Sequence, residues 1–82
     1  MIAQFKVKMN DGSEQEVNTG IADLIALEEK FGISASELAA KTKMTWLAFL
    51  VWSALKRKNV VNIEFEKWVK EVENLEGSEG NA

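Results

Sequence analysis

The stretch Met44-Thr-Trp-Leu-Ala-Phe-Leu-Val-Trp-Ser-Ala-Leu55 limits what this chain can fold into more than any other. From Trp46 to Leu55 only Ser53 is polar, so a helix here is apolar on nearly every side. A surface helix carries an apolar stripe, whereas one that is apolar all round has to be enclosed by other elements. The stretch is too short to cross a bilayer, which takes about 20 apolar residues, so no membrane partner is expected. The rest of the chain has to supply the cover, alone or with help from another molecule.

The material for that cover is modest. A chain of 82 residues makes one small domain, whose folding buries roughly 60 % of the surface its unfolded form exposes. Such domains often gain stability by associating. With 46 % apolar residues the chain is nonetheless built for a core, not for disorder. It has no cysteine and no histidine. That removes disulfide and thiol chemistry, the commonest metal ligand and the usual general base near neutral pH, so no metal or cofactor is expected. The net charge of −3 argues against a nucleic-acid partner. The opening Met-Ile-Ala-Gln-Phe-Lys lacks the basic-then-apolar layout of a signal peptide, which predicts a cytoplasmic protein.

Residues 2–18 read as a β-hairpin. Ala3, Phe5, Val7 and Met9 alternate with Gln4, Lys6 and Lys8, the period of a half-buried strand. A two-residue Asp11-Gly12 loop would mix the faces. A three-residue loop, Asn10-Asp11-Gly12 with a left-handed glycine, pairs Phe5 with Val17 and Val7 with Gln15. It also sets Lys6 opposite Glu16 and Lys8 opposite Glu14. Because a one-residue slip flips every side chain, this second register is expected.

Thr19 is placed to cap a helix running from Gly20 to about Phe31, which Gly32 ends. On a helical wheel Ile21, Leu24, Ile25, Leu27 and Phe31 form one stripe, and Glu28 falls in its middle. A carboxylate there needs a partner: an indole N–H or a basic side chain of its own chain, or a contact with another protein. Ser34 and Glu37 form a capping box that starts a short helix to about Lys41, with Leu38 facing in.

The central helix is expected from about Thr42 to Lys58. The segment from 41 to 58 holds five basic residues and no acid, Lys41, Lys43, Lys56, Arg57 and Lys58, while the chain on either side is net acidic. This asymmetry predicts either an intramolecular lock or a docking face for an acidic partner. Asn62 is placed to cap a last helix over residues 63–75, in which Phe65, Trp68, Val69, Val72 and Leu75 make a stripe at helical spacing. The polar, glycine-rich residues 76–82 read as a flexible tail or linker. The fold class is therefore a single α+β domain over residues 1–75, an N-terminal hairpin with three to four helices packed around the apolar central one.

Catalytic chemistry has no foothold in this pattern. There is no phosphate-binding glycine loop, nucleophile elbow or metal-ligand spacing, so an enzyme is not expected. Residues 33–45 resemble the start of a helix-turn-helix, but the following helix would offer Trp, Leu and Phe to base edges and cannot read DNA. Three short amphipathic elements are few to cover all sides of the central helix. Part of the Trp46, Phe49, Leu50 and Trp52 surface is therefore expected to stay open as an interaction patch. With Lys56, Arg57, Lys58 and Glu28 beside it, that surface is the candidate protein-binding site.

Residues Asp23-Leu-Ile-Ala-Leu-Glu-Glu-Lys-Phe-Gly32, then Trp52-Ser-Ala-Leu-Lys-Arg57, then Phe65-Glu-Lys-Trp-Val69 resemble the small tail assembly chaperones of long-tailed bacteriophages and prophages. The order and spacing are similar across residues 20–75. The resemblance implies a largely helical protein of the bacterial host cytoplasm that coats the helical tape-measure protein and recruits tail-tube subunits. It further implies that a frameshifted longer form exists in some members, with residue 77 onward as the place for such a junction. The helix-in-groove mode of binding fits such a client. A monomer or weak homo-oligomer is expected on this reading. The alternative is a small structural subunit of a phage or other particle that self-associates through the central helix.

Overall fold

Alternation along the first strand and the turn residues that follow it set the frame of the molecule. The computed structural model describes residues 3–41 and 43–77. Strands β1 (Ala3–Met9) and β2 (Glu14–Thr19) form the hairpin, in the register that keeps the faces apart: Phe5 opposite Val17, Val7 opposite Gln15, Lys6 opposite Glu16 and Lys8 opposite Glu14. Gly12 takes φ 92°, the left-handed conformation that the three-residue loop demands. Asp11 Oδ1 accepts from the Ser13 N–H at 2.9 Å and from Ser13 Oγ at 2.7 Å, which locks the turn.

Helix α1 (Ile21–Phe31) ends at Gly32, left-handed at φ 65°. Its start differs from expectation. Thr19 is the last residue of β2 and is buried, and Gly20 is the N-cap. Strand pairing with Ala3 holds Thr19 in the sheet, and the Asp23 carboxylate satisfies the Gly20 N–H at 2.9 Å instead. The capping box holds: the Glu37 N–H donates to Ser34 Oγ and the Ser34 N–H to Glu37 Oε1, opening α2 (Ala35–Ala40). The central helix α3 spans Met44–Arg57. The expected start at Thr42 lies outside the described residues. Past Lys58, Asn59 turns left-handed at φ 63°, and the Val60 N–H returns to the Leu55 carbonyl at 2.9 Å, the six-to-one closure of a helix end.

The last segment departs most from the expected helix over 63–75. Helix α4 is one turn, Phe65–Trp68, followed by a 3-10 turn at Val69–Glu71 and then a strand, β3 (Val72–Gly77). Glu64, not Asn62, is the N-cap, and no side chain caps this turn. Strand β3 pairs antiparallel with β1, giving a three-stranded sheet of order β2-β1-β3. The register shifts between Lys8 and Met9, whose partners are Asn74 and Val72, so Glu73 is a bulge. That bulge explains the misreading. Val72 and Leu75 both pack against the core although three residues apart, because the extra residue stretches a two-residue period to three. Glu76 and Gly77, expected in the tail, belong to β3. Residue 2 of the expected hairpin and residues 78–82 of the expected tail lie outside the described residues.

One face of this sheet and helix α1 enclose α3. Phe5, Val7 and Val17 from the sheet meet Leu24, Leu27, Leu38 and the α3 residues Trp46, Ala48, Phe49, Leu50, Val51, Ala54 and Leu55, with Phe65 and Trp68 closing the other side. Edge-to-face and tilted contacts join Phe49 to Phe31, Trp52 and Phe65 at centroid distances of 5.5, 5.3 and 5.4 Å. Asn10 ties the hairpin tip to the segment entering β3. Its N–H reaches the Glu71 carbonyl at 2.8 Å, and its Nδ2 reaches that of Lys70 at 3.0 Å. No helix among the described residues is long and apolar enough to cross a membrane.

Candidate functional site

Of the Trp46, Phe49, Leu50 and Trp52 surface, part of which is expected to stay open, only Trp52 is partly exposed. The other three are buried, Trp46 being the least covered at 8 % exposed. Trp52 is half-buried, and its indole N–H donates to the Ile63 carbonyl at 3.0 Å. Strand β2, helix α1 and the turn α4 pack on α3 and close it, and the loop after α3 reaches Trp52 through Ile63.

The basic residues beside that surface have separate roles. Arg57 is spent inside the fold. Its Nη2 donates to Asp23 Oδ2 at 2.7 Å and its Nε to Oδ1 at 3.4 Å. Ser53 Oγ donates to Asp23 Oδ1 at 2.7 Å. The Asp23 side chain is 0 % exposed, while that of Arg57 is 44 % exposed. Burial alone would push the Asp23 carboxyl up. The hydrogen bonds from Arg57, Ser53 and Gly20, with the charge of Arg57, outweigh it and hold the carboxyl below its ordinary value. The same bond raises the Arg57 guanidinium above its own ordinary value. Lys56 Nζ lies 5.1 Å from the centroid of the Trp52 ring, and Lys43 Nζ lies 5.3 Å from that of Trp46. Lys58 is exposed past the helix end and makes no ion pair among the described residues. The expected intramolecular lock thus exists at Arg57.

Glu28 is half-buried, and among the described residues neither an indole nor a basic side chain reaches its carboxylate. The acid that needs a partner on α1 is Asp23. Ile21 and Ile25 are 63 % and 48 % exposed, while Asp23, Leu24 and Leu27 are buried. The buried face is therefore rotated by roughly 60° from the apolar stripe, at 3.6 residues per turn. A Ser at 53 and an Arg at 57, four residues apart on one helix face, were the sequence signal for a buried acid elsewhere.

A mostly apolar open feature lies at a place the sequence did not mark. A groove of about 360 Å³ runs between the first turns of α3 and the underside of β3. Met44, Thr45 and Ala48 form one wall, residues 72–75 of β3 the other, and Phe65, Trp68 and Val69 the floor. Met44 stands 60 % exposed on its lip. The groove exists because α3 and α1 lie against β2, while β3 on the opposite edge has no long helix beneath it. Its lining is mostly apolar, with Thr45, Glu73 and Asn74 as polar points. This suits the burial of a partner's apolar side chains. Among the described residues no group of three or more carboxylates could hold a metal ion. No family model matches the chain, and neither a curated protein nor a solved structure matches it.

Proposed function

We propose that the chain is a tail assembly chaperone of a long-tailed bacteriophage or prophage. On this reading it is a non-enzymatic binding protein that coats the helical tape-measure protein and recruits tail-tube subunits in the bacterial host cytoplasm. The resemblance of residues 20–75 supports the family. Three of its polar members, Asp23, Ser53 and Arg57, form one hydrogen-bonded cluster, so these three hold the fold and leave client binding to other residues. The observation that carries the binding role is the groove between α3 and β3, an open and mostly apolar concavity beside the closed core. A second concavity of about 370 Å³, by Met9, Val61 and Ile63, has a more polar lining.

Co-expression with the tape-measure protein encoded in the same gene cluster tests this reading. The tape-measure protein should stay soluble and co-purify with the chain. Thr45→Trp, which fills the groove from an exposed position, should weaken that association. A tape-measure protein that aggregates equally with and without the chain overturns the proposal. The alternative, a self-associating structural subunit, draws on Ile21 and Ile25, exposed one turn apart on α1. A stable closed oligomer in light scattering, dispersed by Ile25→Glu, would favour it.

A further inference from the structure

We propose that the groove and the outer edge of β3 together receive an extended segment of a partner protein as a fourth strand. That segment carries apolar residues at alternate positions and lysine or arginine between them. The inference rests on the groove being a partner site, and it assigns to that site a non-helical segment of the partner, as distinct from the helical stretches of a tape-measure client.

Three observations lead to it. First, β3 is an edge strand, and nothing among the described residues pairs with its outer side. Edge strands present N–H and C=O groups that another strand satisfies and a helix does not. The bulge at Glu73 confines a regular ladder to residues 74–77. Second, the edge and the groove adjoin, since residues 72–75 line both. Side chains of an added strand on the inner face would extend the row Gln15–Val7–Leu75. They would enter the groove toward Met44 and Ala48, where only apolar groups are well placed. Third, the outer face has a charge order. Glu16, Lys6 and Glu76 stand side by side across the three strands, and the next position in that row calls for a cation.

The same acids argue against a second copy. The charged residues of β3, Glu73 and Glu76, are both acidic, so an image of this strand offers no cation to the Glu76 position. The molecule already contains one strand of the required pattern. Phe5-Lys6-Val7-Lys8-Met9 of β1 occupies the inner edge of β3, with Lys6 opposite Glu76.

Short synthetic peptides test the proposal against the isotope-labelled full chain. One alternates valine with lysine, a second valine with glutamate, and a third is an amphipathic leucine–lysine helix former. The valine–lysine peptide should shift the backbone amides of residues 74–77 and the Met44 methyl, and slow exchange of outward β3 amides. It should bind at least about tenfold more tightly than the valine–glutamate peptide. Glu76→Lys, a change at an exposed position, should reverse that preference while leaving the melting transition in place. Equal binding of both alternating peptides, shifts away from β3, or no reversal in Glu76→Lys overturns the inference. So does occupation of the groove by the helical peptide alone, although the groove would then remain a partner site. Failure of every peptide to bind refutes the strand, while the tape-measure co-expression separately decides the tail-assembly role.

Discussion

Asp23 is a carboxylate with 0 % exposure that collects donors from a backbone N–H, a hydroxyl and a guanidinium. Removing it leaves Ser53, Arg57 and Gly20 without their acceptor, and Asp23→Ala should cost about 3 kcal/mol in urea unfolding at neutral pH. Glu28→Ala, at a half-buried carboxylate with no such donors among the described residues, should stay within about 0.5 kcal/mol. The pair of variants decides which acid of α1 the fold depends on. The pH dependence follows from the same cluster. The folded carboxyl of Asp23 lies below its ordinary value, so the unfolded chain takes up its proton first as pH falls. Its stabilisation is complete above the unfolded value of about 3.9 and is lost as pH drops through the folded one. Asp11 is held low by Ser13 in the same range. The informative measurement is therefore the difference in urea midpoint between the native chain and Asp23→Asn, followed from neutral pH downward. That difference should shrink below about pH 4. A difference that stays constant there would mean that the ionised form of Asp23 is not what stabilises the fold.

At the scale of elements, the parts legible in the sequence are those specified by neighbouring residues. Gly12 and the alternation of Phe5, Val7 and Val17 with polar residues fixed the hairpin register, Ser34 and Glu37 fixed the start of α2, and Gly32 fixed the end of α1. What stayed hidden depends on distant partners. Residues 72–77 are a strand because β1 offers them an edge, and the bulge at Glu73 gives their apolar residues a helical spacing. The groove was invisible for the same reason, since one of its walls is that strand. The arrangement predicts that β1 is central and protected from both sides. In hydrogen exchange its backbone amides should be among the slowest in the molecule. A chain ending at Glu71 should lose the cooperative unfolding transition, because it strips one edge of β1 and exposes the core beneath it. Retention of a native melt by that shortened chain would show that β3 is an accessory to the fold and not part of its framework.

For the molecule as a whole, the question set by the apolar central helix is whether one small chain can enclose it unaided. Trp46, Phe49, Leu50, Val51, Ala54 and Leu55 are all buried without a second chain. The residues that stay exposed, Ile21, Ile25, Met44, Val60 and Ile63, come from α1, the start of α3 and the loop beyond it. Single exposed apolar side chains of this kind do not by themselves hold subunits together. The chain should therefore run as a monomer in light scattering, with the emission of Trp46 and Trp68 blue-shifted and shielded from acrylamide. Trp52→Ala should remove a ring that touches both Phe49 and Phe65, at a cost approaching the roughly 3–5 kcal/mol of a core aromatic. Its half-exposure places the loss at the lower end. If Trp52→Ala melts like the native chain but abolishes association with a client, the ring belongs to a binding surface and the helix is not closed by its own chain. If the variant loses stability and the remaining fold still binds its client, the groove beside β3 is the better place to look for the contact.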